Sequence, residues 1–324
     1  MTVLGALDAQ PQKTPPAKTQ SAQQGEEPVK RGDAYVFRKN VEEVRLHATV
    51  IDDKLGLVTG LDRSAFQIYE NGELQKLTSF GNEDVPVAMA IVIDNSGSMR
   101  DKRPSVNQAA INLVKASNPQ DEIFVVNFND EAYLDQDYTS NINLLRDALD
   151  RIESRGGTAL YEALVAASDH LIKSAKLEKK VILVVTDGED NASHVTLESA
   201  IRQIAVDGGP AVYAVGILGG EKEKRARRAL HLLAEQTGGI AFFPKDYTEV
   251  DAITRRVAHD IRNQFILGYK PSAGKASGGY RTVKVDAKAK GYKHLSVRTR
   301  TGYYAGDAPI PKPVTPPTSS SPKD

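Results

Sequence analysis

Five oxygen-bearing side chains that follow apolar or glycine-rich segments are the part of this chain best suited to chemistry. A long apolar run ends at Asp94, and Ser96 and Ser98 follow at alternate positions. Further along, Thr158 comes after two glycines, and a second apolar run ends at Asp187. Carboxylates and hydroxyls without a thiol or imidazole are hard donors, which suit Mg2+, Mn2+ or Ca2+ rather than Zn2+. The sequence therefore predicts a site for a hard divalent cation.

Apolar strands alternate with helical segments between residues 86 and 262, and this region must position those side chains. The alternation predicts the α/β fold class, with a doubly wound, mostly parallel sheet. Open sheets of this kind place their ligands at the carboxyl ends of the strands, where Asp94 and Asp187 lie. The predicted strands are 87–93, 122–128, 181–186, 211–217 and 240–243, and the predicted helices are 104–116, 141–153, 159–175, 196–207, 222–236 and 247–262.

Period-two alternation of apolar and polar residues marks strands on both sides of the α/β region. The sequence Asn71-Gly72 predicts a tight hairpin turn with positive φ. The predicted strands are 44–50, 66–70, 73–77, 282–287 and 295–297. Each group alone has too few strands for a stable sheet. We therefore predict one small β module formed by both chain ends, from about 40–82 and 264–305, with the α/β domain inserted between them.

The polar residues match, in order and spacing, the metal-ion-dependent adhesion site of von Willebrand factor A domains, and the chain resembles that family. The family pattern is Asp-x-Ser-x-Ser, then Gly-Gly-Thr, then an aspartate that ends a strand. This resemblance implies a Rossmann-like fold in which Ser96, Ser98 and Thr158 contact the ion, while Asp94 and Asp187 act through water.

The same resemblance implies a recognition site rather than a catalytic one. An ion held by neutral hydroxyls stays electron-poor, and a glutamate or aspartate of a partner protein can supply the anionic oxygen that it prefers. We expect a non-enzymatic, cation-dependent protein-binding module with no catalytic residue and no organic cofactor. A metal-dependent enzyme or chelatase-like accessory subunit stays an alternative, and so does a structural module whose ion only stabilises the fold.

Weaker motifs in the flanking segments resemble a bacterial group of von Willebrand factor A-related proteins of the acidobacterial type. They are residues 58–61 with Phe66, 69–72, 265–269 and 302–305. Their order around the α/β region carries the resemblance, because each motif alone is short. Together with the metal motifs they cover nearly all of the chain outside the two ends.

The predicted domain organisation has five parts, which combine two folded units with two tails. They are a disordered tail or signal remnant at 1–32, the two halves of the β module at 33–84 and 263–306, the von Willebrand factor A domain at 85–262, and a disordered Pro/Ser-rich tail at 307–324. The small residues before Gln10 resemble the end of a signal peptide. We therefore expect a location outside the cytoplasm, either periplasmic or secreted.

Composition limits the possible partners of this 324-residue chain. It has 42 Lys and Arg against 42 Asp and Glu, a formal net charge of +0, which makes nucleic acid an unsuitable partner. It has no cysteine, so disulfides and thiolate metal sites are excluded. No apolar run reaches the 18 or more residues of a membrane helix, and we expect no membrane span.

Other chemistries fit these residues less well. Ser96 lacks the Gly-x-Ser-x-Gly elbow of hydrolase nucleophiles, and an aspartyl-phosphate role for Asp94 needs a second aspartate where Ser96 stands. The 6 histidines are scattered without zinc spacing. His194, in the loop after Asp187, lacks an evident neighbour for general-base work. No phosphate-binding glycine loop of a nucleotide site is present.

Overall fold

The computed structural model describes residues 29–31, 34–36 and 43–306, with gaps at 55, 83, 152–153, 219–222 and 273–277. Strands β1 (Val29–Arg31) and β2 (Ala34–Val36) pair antiparallel in a first, small unit, a hairpin that the sequence patterns did not predict. Glu42–Asp324 form the second unit. The rest of the predicted tail 1–32 and all of 307–324 lie outside the described residues. Among the described residues, no helix is long and apolar enough to cross a membrane.

The second unit contains the strands and helices that carry the predicted site. Its strands are β3 (Val44–Asp52), β4 (Phe66–Glu70), β5 (Glu73–Gln75), β6 (Leu77–Gly81), β7 (Val87–Asp94), β8 (Glu122–Phe128), β9 (Ala132–Thr139), β10 (Lys179–Thr186), β11 (Ala211–Gly216), β12 (Ala241–Phe242), β13 (Phe265–Tyr269), β14 (Gly279–Ala287), β15 (Leu295–Arg298) and β16 (Gly302–Ala305). Its α-helices are α1 (Arg103–Ala116), α2 (Ile142–Asp150), α3 (Leu160–Ser174), α4 (Leu197–Ile204), α5 (Lys224–Thr237) and α6 (Val250–Arg262).

A six-stranded sheet with helices on both faces forms the α/β region. Its order is β12-β11-β10-β7-β8-β9, and all neighbours pair parallel except β8 and β9. Both faces of β7 are buried: Met89 and Ile91 pack in one apolar cluster with α1, α2 and α6, whereas Ala90 and Val92 pack with α3, α4 and α5. The predicted doubly wound α/β fold class is therefore confirmed.

The sequence patterns missed the antiparallel edge strand β9. This strand is exposed along much of its length, and Tyr133 and Leu134 remain 46% and 51% exposed. A strand so little buried lacks the continuous apolar run of the inner parallel strands. Helix ends also differ, because α2 ends at Asp150 and the predicted start of the last helix, 247–249, is a 3-10 turn.

Two four-stranded antiparallel sheets form a β sandwich, built from segments on both sides of the α/β region. One has the order β15-β3-β13-β6 and the other β16-β14-β4-β5. Each sheet thus pairs strands from before residue 82 with strands from after residue 264. The sheets share one apolar core, in which Leu46, Ile68, Phe265 and Tyr303 are almost fully buried.

The hairpin between β4 and β5 has the predicted turn. Asn71 has φ 50° and Gly72 has φ 82°, the positive values that a type I′ turn requires at both central positions. Glu70 faces Glu73 across the turn. The predicted second strand, 73–77, is divided, because β5 ends at Gln75 and β6 joins the other sheet.

A buried polar network joins the β sandwich to the α/β region. Asp260 of α6 accepts hydrogen bonds from the Tyr213 hydroxyl and from the Arg298 guanidinium, each at 2.6 Å. Arg300 donates to the carbonyls of Val206 and Gly209 at 2.9 and 2.7 Å. Both arginines follow the α/β region in the chain, so one ion pair and two hydrogen bonds to backbone carbonyls join the two parts. The domain boundaries at 85 and 262 stay a prediction.

Candidate metal centre

Asp94 lies at the carboxyl end of β7, in the middle of the sheet. The residue is fully buried. Its Oδ1 accepts a hydrogen bond from the Ser96 backbone N–H at 2.8 Å, and its Oδ2 accepts one from the Thr186 hydroxyl at 2.6 Å. Ile93 pairs with Val185 in the parallel register, which places Asp94 beside Thr186. Local turn geometry and sheet register together orient this carboxylate.

Asp187 brings a second carboxylate to the same edge of the sheet. Its Oδ1 accepts a hydrogen bond from the Ser98 hydroxyl at 2.8 Å, and the Ser98 and Ser96 hydroxyl oxygens are 3.2 Å apart. Its Oδ2 accepts a hydrogen bond from the ammonium of Lys102. The structure thus brings together Ser96, Ser98 and Asp187 in one chain of hydrogen bonds.

The two carboxylates influence each other electrostatically. Burial raises the pKa of Asp94 above its ordinary value, and the negative charge of Asp187 raises it further. Hydrogen bonds from Thr186 and Ser96 oppose this rise, because they stabilise the ionised form. Two repelling carboxylates with buried side chains are an environment that favours a bound cation.

Thr158 lies on the adjacent loop and faces the turn after β10. Its N–H donates to the side chain of Asn191 at 2.9 Å, and its carbonyl accepts from the Asn191 N–H at 3.0 Å. Its hydroxyl oxygen is 3.5 Å from the point where a Cβ on Gly188 would lie. Thr158 therefore lies against Gly188, the residue that follows Asp187, and so close to the other candidate ligands.

Two glycines and Asp130 determine where Thr158 lies. Gly156 has φ +75°, and a Cβ there would come within 2.2 Å of the Asp130 carboxylate. A Cβ on Gly157 would come within 2.8 Å of the same carboxylate, which accepts the Gly157 N–H at 2.8 Å. A side chain at either position would displace the Asp130 carboxylate, which holds the Gly157 N–H, and at Gly156 the positive φ also disfavours any residue but glycine.

The sequence patterns missed four residues that build the site: Lys102, Asp130, Thr186 and Asn191. Thr186 could have been found, because it ends the strand next to β7 and immediately precedes Asp187. The other three act from loops and from the start of α1. Their contacts span 27 to 85 residues of sequence, and no local pattern reports such pairs.

The donor chemistry fits a hard divalent cation. In the described part of the chain, no group of three or more His, Cys, Asp or Glu side chains is placed to hold an ion. The candidate centre has a different composition, two carboxylates and three hydroxyls, which suits an ion that keeps several waters. A cationic group, the Lys102 ammonium, already lies against Asp187. The arrangement accepts positive charge at this point.

The other polar residues near the site have structural contacts. Asp190 accepts hydrogen bonds from the Tyr161 and Ser193 N–H groups at 3.1 and 3.3 Å, so it caps the start of α3. Glu189 lies 3.8 Å from Arg225 in an exposed ion pair. His194 is exposed.

A groove with positive charge adjoins the site. It is lined by Arg100, Arg103 and Arg155, together with Asp150 and four other residues. The Arg155 N–H donates to the Asn95 carbonyl at 2.9 Å, which places the groove beside the loop that follows Asp94. Burial lowers the pKa of Arg103 to about 10, so its guanidinium is charged at neutral pH.

Comparisons with known proteins show what this chain is similar to. The family profile described as von Willebrand factor type A domain matches residues 89–189, a range that includes all five candidate positions. Inter alpha-trypsin inhibitor, heavy chain 4, from Mus musculus is 26% identical over 155 residues, 42% of this chain and 16% of that protein. An uncharacterised protein of Synechocystis sp. is 29% identical over 110 residues, 33% of this chain and 26% of that protein. A solved von Willebrand factor type A structure from Catenulispora acidiphila is 14% identical with a TM-score of 0.48, and the match covers 82% of this chain and 75% of that one.

The segment 89–189 thus matches the von Willebrand factor type A domain family. Domains of this family typically mediate protein–protein interactions, and most are adhesion or interaction modules rather than enzymes. The chain spans 16% and 26% of the length of the two curated relatives, so nothing of their whole-protein activity is transferred. Membership of the acidobacterial-type group stays a prediction.

Proposed function

We propose that this chain is a divalent-cation-dependent protein-binding module. The observation that carries the proposal is the convergence of two carboxylates and their neighbouring hydroxyls at the carboxyl edge of the sheet. Ser96, Ser98 and Thr158, with Asp94 and Asp187, would hold Mg2+, Mn2+ or Ca2+. A bound ion would supply an electron-poor centre that prefers an anionic oxygen.

The charge around the site supports an acidic partner. Arg100 and Arg155 are exposed at the groove, and Arg103 adds a third positive charge against the single carboxylate of Asp150. Positive charge beside a recognition site speeds the approach of an acidic protein surface and orients it. We therefore propose that a glutamate or aspartate of the partner reaches the ion while neighbouring acidic residues lie against these arginines.

We also propose that the module works outside the cytoplasm. The basis is the composition of the segment before Gln10, which lies outside the described residues. Fusion of residues 1–40 to a reporter protein, followed by fractionation, measures whether this segment directs export. Retention of the reporter in the cytoplasm would contradict the location while leaving the proposed binding function unaffected.

Two measurements test the proposed function. Calorimetric titration with Mg2+ and Mn2+ should give one site in the wild-type protein and none in the double variant Ser96→Ala, Ser98→Ala. Ser174→Ala, which removes an exposed hydroxyl at the end of α3, is the matched control and should bind as the wild type does. Absence of binding to the wild-type protein by either ion would refute the metal centre.

The second measurement separates recognition from mere stabilisation. Protein captured from an extract of the source cells should be released by chelator and should be missing with the double variant. An ion that binds and stabilises the fold without any cation-dependent capture would instead indicate a structural module. Turnover of a captured small molecule that needs the ion would support the enzyme alternative.

A further inference from the structure

Lys102 has a position that helix electrostatics do not explain. It is the N-cap residue of α1, its N–H donates to the Met99 carbonyl at 2.9 Å, and its side chain makes no capping hydrogen bond. The start of a helix carries partial positive charge, which disfavours a lysine there. Its ammonium lies instead against Asp187, whose side chain is 0% exposed while that of Lys102 is 27% exposed.

Each carboxylate oxygen of the candidate centre already accepts one hydrogen bond. The donors are the Ser96 N–H, the Thr186 hydroxyl, the Ser98 hydroxyl and the Lys102 ammonium. Three of these donors are neutral, so Lys102 is the charged one of the four. A buried carboxylate without a counter-charge is strongly destabilising. Lys102 therefore supplies in this state the positive charge that a metal ion would supply.

An ordinary surface ion pair does not account for this contact. Lys173 and Asp169 form such a pair within α3, with side chains 71% and 40% exposed, and pairs of that kind contribute little. Lys102 instead reaches a fully buried carboxylate 85 residues away in sequence. Its long flexible side chain is partly exposed, so the ammonium can leave for solvent without a change in the backbone.

We propose that Lys102 is a built-in counter-ion that competes with the divalent cation for Asp187. It stabilises the metal-free site and lowers the affinity for the ion, so that the site fills only at a raised cation concentration. This inference rests on the proposed metal centre. Its consequence is a site whose partner binding follows cation concentration instead of being permanently active.

Calorimetry of Lys102→Met with Mn2+ and Mg2+ tests the inference. Removing the competing charge-assisted hydrogen bond should tighten binding on the order of tenfold or more. The same variant should melt at a lower temperature than the wild type in chelator, and its melting temperature should rise more when the ion is added. Lys102→Gln is a second uncharged variant of similar length and should behave as Lys102→Met does.

Lys173→Met is the matched control, because it removes a lysine from an exposed ion pair away from the site. It should change neither the affinity nor the melting temperature. Equal affinity in the wild type and both uncharged variants would overturn the inference and leave the metal centre intact. Absence of binding in every protein would overturn both. Binding by the uncharged variants alone would support the competition and overturn metal dependence in the wild type.

Discussion

Two polar clusters in this protein are each built around a carboxylate, and they differ in whether solvent reaches them. In the β sandwich, Glu70 accepts hydrogen bonds from the hydroxyls of Tyr269 and Tyr303 at 2.5 and 2.8 Å and pairs with Arg281 at 3.3 Å. Glu70 is 4% and Arg281 3% exposed. At the candidate metal centre, the cationic partner of Asp187 is 27% exposed.

This difference indicates what each cluster can do. The Glu70 cluster is sealed, its ion pair joins neighbouring strands, and burial raises the pKa of Tyr303 to about 12, so it stays protonated at all ordinary pH values. Such a cluster stabilises one arrangement of strands. The metal centre has a partly exposed lysine and an exposed serine, Ser98, so its groups can exchange partners. We therefore assign a structural role to the sealed cluster, whereas the open cluster is the one for which we propose recognition.

Deletion of residues 264–324 should have the largest effect on folding. It removes β13 to β16 and leaves β3 and β4 with open edges, which favour aggregation. A fragment of 84–262 should fold and bind the ion, because all five candidate ligands lie within it. Limited proteolysis, and melting with and without Mn2+, measure how the deletion variant and the fragment fold and whether the fragment binds the ion. Cooperative unfolding of the deletion variant, together with an unfolded 84–262 fragment, would refute the inserted-domain model.

The next largest effect on stability should come from loss of the buried ion pair between Glu70 and Arg281. Glu70→Gln removes the charge of a buried ion pair, which should reduce the free energy of unfolding by about 3–5 kcal/mol. Urea denaturation measures the change. Glu73→Gln, in the exposed part of the same hairpin, is the control and should change little. Unaltered stability in Glu70→Gln, or a change in ion affinity, would remove the distinction between the two clusters.

Addition of the ion should stabilise the open cluster by a smaller amount. At ten times the dissociation constant, one bound ion adds roughly 1.4 kcal/mol, or about 2–5 °C in melting temperature. Asp94→Asn should abolish this shift. Asp101→Asn removes an exposed carboxylate close in sequence and should preserve the shift. An equal shift in Asp94→Asn would show that the ion binds elsewhere.

The sandwich should respond to pH through His47 of β3. Burial, with the positive charges of Lys179 and Arg300, lowers its pKa to about 3 from the ordinary 6.5. The unfolded chain therefore takes up the proton first as the pH falls. The contribution of His47 to stability is complete above pH 6.5 and is lost as the pH falls towards 3, by about 2 kcal/mol between pH 7 and 5.

Chemical denaturation at several pH values, compared with His47→Gln, isolates this contribution from that of the acidic residues. The variant should lose less stability than the wild type between pH 7 and 5. If stability depends on pH in the same way in the two proteins, His47 takes up its proton as readily in the folded state as in the unfolded state. Ion affinity should be equal in the two proteins at pH 7, because His47 belongs to the sandwich.

The smallest expected effect is that of Thr158→Ala. Loss of one hydroxyl should weaken ion-dependent partner binding, while stability in chelator should change by less than about 1 kcal/mol. Denaturation in chelator and capture with Mn2+ measure the two quantities. Ser193→Ala, which removes from the loop after β10 a hydroxyl that accepts from the Tyr161 N–H, serves as the control for capture. Unfolding of Thr158→Ala in chelator would make Thr158 a packing residue.

Much of the fold followed from sequence patterns because those patterns reflect local requirements. Inner strands such as β7 and β10 are buried on both faces and show as apolar runs, and the turn at Asn71-Gly72 needs residues that tolerate positive φ. The edge strand β9 is half-exposed and lacks that pattern. No local sequence pattern indicates that residues 73–77 divide between two sheets.

The sequence by itself determined the class of the protein and the residues proposed for the ion, because the turn after β7 and the Gly-Gly-Thr loop are short segments with their own steric needs. Metal binding by these residues stays a prediction. Only the tertiary structure decided that Lys102 neutralises Asp187, and that Glu70 meets Arg281 and two distant tyrosines. The physical reason is that chain packing brings such partners together across long sequence separations. Their charge and burial stabilise the contact but produce no regular spacing of residues that a sequence pattern could show.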